Sequence, residues 1–422
     1  MKKIPLHCLV LMVGPSGAGK STIASRKFDK YEIISSDALR DELFGDFSRQ
    51  DINNYVFAEL HRRVRLKLEV GERVVVDATN IKTSDRLALA NIGKEYGLPI
   101  YYVVYNREVD EKIKTGGWRN TIPHLINKHE ETFKCSERAI LNGDNNIATV
   151  IDYRVEDFDV IKKLDGSDFS SQLRERGYRG VTVVGDVHGK KESLSSVIEW
   201  AITRGNFLLF LGDIVDYGSE SVECVKMVYD LVVRGKAISI IGNHERKIEK
   251  WLTQRKTNEI KIRISAGNQV TVDQVNLMSE SDQKKFECSF KGLINLSKNH
   301  IIIDNCLFTH GAADQKMWKI HNHRLYGRLE TMALYGEVDN AKPMREDGYP
   351  NRMYNWIEEI ESGKMVIVGH DVRSTGAPLV ETNKNGGQAV FMDTGSAKGG
   401  HLSSADIIFQ EIDLKLVNFN YY

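Results

Sequence analysis

The chain reads as two α/β domains in series, and three observations predict it. Its 422 residues exceed what one ordinary core takes up. Short apolar runs alternate with helical periodicity in both halves. In each half the apolar runs end directly in Gly, Ser, Asp, Asn or His, the residues that line a cleft at the carboxyl ends of strands. The expected layout is a doubly wound parallel sheet over residues 1–165, a linker over 166–179, and a second α/β domain over 180–422.

Residues 6–13 predict a parallel strand covered on both faces. The loop Gly14-Pro15-Ser16-Gly17-Ala18-Gly19-Lys20-Ser21 follows, and a helix begins at Ser21. Residues 33–34, running into Ser35-Ser36-Asp37, then 74–77 and 100–104 are the next strands, with 56–69 the most periodic helix between them. From 162 to 179 the pattern loosens into Gly, Ser, Asp and Arg, hence the linker. Residues 181–184, 207–211 and 238–241 repeat one design, a buried strand followed by Gly and ligand-type residues. Residues 301–303, 307–308 and 365–368 behave alike and lead to His310 and His370. The mixed polar stretch 256–298 predicts a helical or loop insertion.

Composition narrows the class. Lys plus Arg equals Asp plus Glu at 58 each, so no global basic field advertises non-specific nucleic-acid binding. The 5 cysteines are scattered without a CxxC pair, which argues against structural zinc and a disulfide framework and for a reducing compartment. Met1-Lys2-Lys3 before an apolar run resembles a secretory signal, but the run ends in the glycine loop and reads better as a strand. No stretch is long and apolar enough for a bilayer span, so the expected location is cytoplasmic with no membrane partner.

The glycine loop carries specific chemistry. Backbone amides across Gly14, Ser16, Gly17, Ala18 and Gly19, with Lys20, Ser21 and Thr22 opening a helix, converge on phosphate oxygens. Lys20 neutralises the β- and γ-phosphates and Ser21 places Mg²⁺, so ATP or another nucleoside triphosphate with Mg²⁺ is the expected cofactor. Asp37, at a strand end, is placed to take a proton from an attacking hydroxyl, and Arg40 shares its helix face. The competing reading is a helix cap formed by Ser36 or Asp37 with a solvated Arg40. Asp77 is either an Mg²⁺ helper or an ordering residue of its loop. His61, Arg62, Arg63, Arg65 and Lys67 form a basic helical run, either a solvated face or a nucleic-acid contact.

The glycine loop, Ser35-Ser36-Asp37-x-x-Arg40, and Val76-Asp77-Ala78-Thr79-Asn80 with Arg86 resemble the 5′-hydroxyl polynucleotide kinases. That resemblance implies Asp37 as general base, Arg40 on the acceptor end, and an arginine-bearing lid over the γ-phosphate. Residues 116–123 occupy the lid position and offer Arg119; a second lid arginine is missing there, with Lys114 as the substitute.

The second half supplies Asp186, His188, Asp213, Asn243, His310 and His370 in strand-end order, the donors that two neighbouring divalent metals need. The set resembles the calcineurin-like metallophosphoesterases, whose fold is a two-sheet sandwich flanked by helices. The resemblance implies that Asp186 and His188 bind one metal, Asn243, His310 and His370 the other, and that Asp213 bridges. His244 protonates the leaving oxygen, oriented by Asp216; the metals are Mn²⁺, with Ni²⁺ or Fe²⁺ as alternatives. Asp393-Thr394-Gly395-Ser396 resembles the family's closing loop. Many relatives carry an arginine where this chain has Tyr217, with Arg246 or Arg373 as candidate replacements; lack of that anchor favours a diester or cyclic phosphate over a monoester.

Kinase followed by metallophosphoesterase resembles the bacterial and phage polynucleotide kinase-phosphatases that heal RNA ends. The implied activity is NTP-dependent phosphorylation of 5′-OH ends together with removal of 2′,3′-cyclic phosphate or 3′-phosphate. The implied partners are RNA or DNA strand ends, with a homo-oligomer left open. Lys163-Leu164-Asp165-Gly166 spells a nucleotidyl-lysine tetrapeptide but sits in the linker, so a separate RNA ligase in trans is expected. The alternatives are a metabolite kinase fused to a diadenosine-tetraphosphate or phosphoprotein phosphatase, and a regulatory module with a vestigial kinase. Intact Lys20, Ser21 and Asp37 argue against the last.

Overall fold

The computed structural model describes residues 1–115, 123–164, 168–255, 261–321, 324–339, 341–344, 350–409 and 414–422. Two compact units emerge: Met1–Lys162 with Glu280–Asn295, and Lys163–Ser279 with Leu296–Tyr422.

The first unit is built on a 5-stranded parallel sheet ordered Ile33–Ser35, Val74–Asp77, Leu9–Val13, Ile100–Val104, Thr149–Asp152. The central strand shows why its sequence is apolar throughout. Leu9, Leu11 and Val13 enter one core while Cys8, Val10 and Met12 enter the other. Helix Asn53–Glu69 buries Val56, Leu60, Val64 and Leu68, one residue per turn along one stripe. Helix Glu280–Leu296, from the stretch read as an insertion, adds Cys288 to the same core, and its Lys291 pairs with Glu69 at 2.8 Å. The edge strand Thr149–Asp152 and the parallel pair Lys2–Ile4 with Phe158–Val160 were not anticipated, because each is short and half-polar.

The second unit has two 5-stranded sheets. One runs Ala237–Ser239, Phe207–Phe210, Gly180–Val184, Ser403–Phe409, Leu414–Tyr421; the other runs His300–Ile303, Cys306–Thr309, Met365–Val368, Gln388–Phe391, Leu379–Thr382. Val181, Val183, Leu209 and Ile238 of the first meet Ile301, Phe308, Ile367 and Val390 of the second in one core. Helices bearing Met332, Trp356 and Ile357 cover the second sheet's other face. This is the expected helix-flanked sandwich. Part of the stretch read as linker is helix Phe169–Glu175, whose Phe169 and Leu173 are buried in the intersheet core. Parallel pairing within each sheet gathers the carboxyl ends of the ligand-bearing strands at one edge. Among the described residues no helix is long and apolar enough to cross a membrane.

Candidate active sites

In the first unit a cleft of about 890 Å³ runs from the glycine loop to helix Ser36–Phe44. Ser16, Gly17, Gly19, Lys20, Ser21 and Thr22 line it. Helix Lys20–Lys27 has no acidic residue in its first turn, so its N-terminal amides present unopposed positive potential to an anion. Lys20 is buried and its Nζ donates to Pro15 O at 2.8 Å.

Ser35 takes the cap role, its Oγ accepting from Ala38 N at 3.4 Å, so neither Ser36 nor Asp37 is the cap. The Asp37 carboxylate instead pairs with Arg40 Nη1 at 2.6 Å. Arg40 is buried rather than solvated, and its Nε and Nη2 donate to Asn53 Oδ1 at 3.2 and 2.6 Å. Asp37, Arg40, Asn53 and Asp77 all line the cleft. Arg86, part of the kinase-like pattern, does not line the cleft. It lies wholly buried against Asp144, with Nε–Oδ2 at 2.7 Å and Nη2–Oδ1 at 2.8 Å. The basic helical run is largely neutralised within the unit. Arg62 and Arg63 pair with Glu59, Arg63 also with Glu42, and Arg65 with Glu95. Arg119 lies outside the described residues.

In the second unit, Asp213 Oδ2 lies 3.2 Å from His310 Nε2, 3.8 Å from His244 Nε2 and 3.9 Å from His188 Nε2. Two metal-capable groups share this carboxylate: His188, Asp213 and His244, and Asp213, His310 and His370. Asn243 Oδ1 is 2.9 Å from His310 Nε2, and both Asp186 oxygens accept from the His370 amide at 3.1 and 3.0 Å. Backbone carbonyls orient the rings: Val215 O lies 2.9 Å from His188 Nδ1 and Leu211 O 2.8 Å from His310 Nδ1. His188, Asp213, Asp216, Tyr217 and His370 hold left-handed φ values of 47, 52, 77, 62 and 65°. Non-glycine residues rarely adopt that region, and these five lie together at this site.

The charges explain what the donor set can hold. Burial, then the Asp393 and Asp213 charges, raises Asp186 well above the usual carboxylate range. Burial also opposes ionisation of Asp213, but the imidazoles of His310 and His244 outweigh it and hold it well below. Burial, then His310 and Arg352, keeps His370 neutral. Crowded buried carboxylates beside neutral imidazoles and an amide oxygen fit a pair of divalent cations.

Four contributors escaped the sequence reading. Glu245 accepts from the amides of Asp213, Gly242 and Ile214 at 2.8, 2.9 and 2.7 Å and so fixes the loops carrying Asp213 and Asn243. Asn268 and Thr271, on helix Ala266–Asn276, bond Asp216, which holds His244 Nδ1 at 2.6 Å. Arg352 donates to His370 Nε2 at 2.7 Å. Arg246 instead pairs with Glu249 and Glu330, and Arg373 with Glu381. Tyr217 packs edge-on to His188 at 5.0 Å between ring centroids. Only Glu245 left a signal, its place in the Gly242-Asn243-His244-Glu245 motif.

Two family models match the chain. Residues 9–112 match the AAA domain family, and residues 180–374 the calcineurin-like phosphoesterase family. An asymmetrical bis(5′-nucleosyl)-tetraphosphatase of Halalkalibacterium halodurans is 26% identical over 244 residues, spanning 55% of this chain and 90% of that protein. A metallophosphoesterase from Sphaerobacter thermophilus aligns with TM-score 0.33 and 18% identity over 58% of this chain and 88% of its own. A chain of the Pnkp1/Rnl/Hen1 RNA repair complex aligns with TM-score 0.30 and 16% identity over 61% and 86%. The protein joins an N-terminal P-loop domain of the AAA type to a calcineurin-like phosphoesterase domain.

Proposed function

We propose that the protein heals nucleic-acid ends: its first unit phosphorylates a 5′-hydroxyl and its second removes a 2′,3′-cyclic or 3′-phosphate. The Asp37–Arg40 pair, sharing one cleft with the phosphate loop, carries this reading. Loop amides and Lys20 hold the triphosphate, Ser21 and Asp77 are the place for Mg²⁺, and Asp37 takes the acceptor proton. Arg40, fixed by Asn53, holds that carboxylate in place.

In the second unit Asp186 and His188 would hold one divalent cation, Asn243, His310 and His370 the other, and Asp213 both. Mn²⁺ is the expected ion, with Ni²⁺ or Fe²⁺ as alternatives. Such a pair supplies Lewis-acid charge for in-line attack of water on phosphorus. His244 gives the leaving oxygen its proton. Burial opposes its protonation, but Asp213 and Asp216 prevail and raise its pKa to about 9. The partners this reading implies are RNA or DNA strand ends, sealed by a separate ligase.

A second reading has a specific support, the tetraphosphatase that 55% of this chain resembles. In it the second unit cleaves a dinucleoside tetraphosphate and the first phosphorylates a small metabolite. A short RNA with a 5′-OH and a 2′,3′-cyclic phosphate, incubated with ATP, Mg²⁺ and Mn²⁺, separates the two by mass spectrometry of both ends. End healing yields a 5′-phosphate and a 3′-hydroxyl, lost respectively in Asp37→Ala and Asp213→Ala. Unchanged ends with consumption of diadenosine tetraphosphate would establish the second reading instead.

A further inference from the structure

Three consecutive residues of the phosphate loop each engage a basic side chain. Pro15 O accepts from Lys20 Nζ at 2.8 Å, Ser16 Oγ lies 2.9 Å from His129 Nδ1, and Gly17 O accepts from Arg107 Nη2 at 2.6 Å. All three basic groups line the cleft. Lys20 belongs to the loop itself. Arg107 arrives from beyond the carboxyl end of strand Ile100–Val104, and His129 from helix Pro123–Leu141.

One buried knot fixes both arrivals. Glu130, next to His129, is bonded by the wholly buried Lys112 and by Asn106 Nδ2 at 3.3 Å. Asn106 Oδ1 in turn accepts from the Arg107 amide at 2.9 Å. The two heads are thus set at the loop by packing rather than by chance of a long side chain. Lys114, the substitute cation expected from the sequence, is exposed and absent from the cleft lining.

We infer that Arg107 and His129 are catalytic residues of the kinase reaction, N–H donors to the transferring phosphoryl group that complete what Lys20 begins. This rests on the NTP-dependent kinase reading of the first unit. A phosphoryl group in transfer spreads negative charge over three equatorial oxygens, and donors are needed from more than one direction. Lys20 reaches from the loop itself; Arg107 and His129 reach it from two other elements. A guanidinium presents five N–H groups, enough to span a loop carbonyl and phosphate oxygens together. The γ-phosphoryl bond to the β-phosphate breaks as the bond to the acceptor oxygen forms, and the acceptor proton goes to Asp37. Neither Arg107 nor His129 takes part in that proton transfer.

The rival role is a strut that only holds the loop's shape. Full-length wild type, Arg107→Ala, Arg107→Lys and His129→Asn are compared for ATP and ADP affinity and for kinase kcat and KM. The thermal transition of the first unit reports intact folding. Arg107→Ala is expected to lower kinase kcat/KM roughly 100-fold and to weaken ATP far more than ADP, with Arg107→Lys between it and wild type. His129→Asn is expected to lower kcat about tenfold with ADP affinity unchanged. Equal loss of ATP and ADP affinity at unchanged kcat, or no change at all, overturns the inference. A wild-type chain that transfers no phosphate from ATP to any hydroxyl overturns the kinase reading itself.

Discussion

The guanidinium of Arg352 donates to Nε2 of His370 at 2.7 Å while its Nε lies 3.3 Å from Asp371 Oδ1. The contact orients the ring and, with burial and His310, keeps it neutral. The same contact puts a cation on the Nε2 lone pair and leaves the neutral ring's proton on Nδ1, so Arg352 competes with a metal for His370. Arg352→Ala is therefore expected to leave metal binding in the second unit intact or tighter. Manganese titration of the phosphatase activity checks this. Loss that excess metal does not repair would instead place Arg352 on the substrate phosphate. Arg246→Ala and Arg373→Ala should change activity less, because those guanidinia are held by glutamates.

Gly369 is set by contact rather than by backbone freedom. A Cβ there would stand 2.2 Å from Asp186 Oδ1, closer than any real contact, so either the carboxylate or the loop must move. Gly369→Ala should lower phosphatase kcat/KM about 100-fold, the scale of a 1 Å misplacement at a reacting centre. Kinase activity of the same chain should persist. Gly376, where a Cβ meets nothing within 4 Å, is the control, and Gly376→Ala should leave both activities unchanged.

Asp186, Asp213, Asn243, His310 and His370 were legible in the sequence for a local reason. Each lies just beyond a short apolar strand, and strand ends line clefts whatever the loops do. Asn268, Thr271 and Arg352 were not, because they reach the site only through tertiary folding of stretches without apolar period. Arg86 shows the opposite case: part of a recognisable pattern, it is buried away from the cleft. Helix Glu280–Leu296 has an amphipathic pattern, but nothing local says which unit it covers.

The thiols separate by burial. Desolvation raises Cys8, Cys224 and Cys288 to about 12, and Cys306 is buried; Cys135 is exposed. A raised thiol pKa means less thiolate, the reactive form, at any pH below it. Native protein should therefore take up one equivalent of iodoacetamide, at Cys135. Unfolded protein should take up 5 equivalents. Native labelling at Cys288 would show that helix Glu280–Leu296 does not pack as described.

Arg86 and Asp144 form a buried pair that Tyr102 completes, its hydroxyl donating to Asp144 Oδ2 at 2.9 Å. Asp144 holds φ 48°, so the pair also secures an unusual turn beside strand Thr149–Asp152. Arg86→Ala would leave a buried carboxylate without its cation, at a cost of about 3–5 kcal/mol to the first unit. Its thermal transition should fall and kinase activity should fall with it. Arg86→Met combined with Asp144→Asn removes both charges, keeps a residue tolerant of positive φ, and should restore most of the stability and the kinase activity together. A double variant that is stable yet lacks kinase activity would give Arg86 a part in the chemistry.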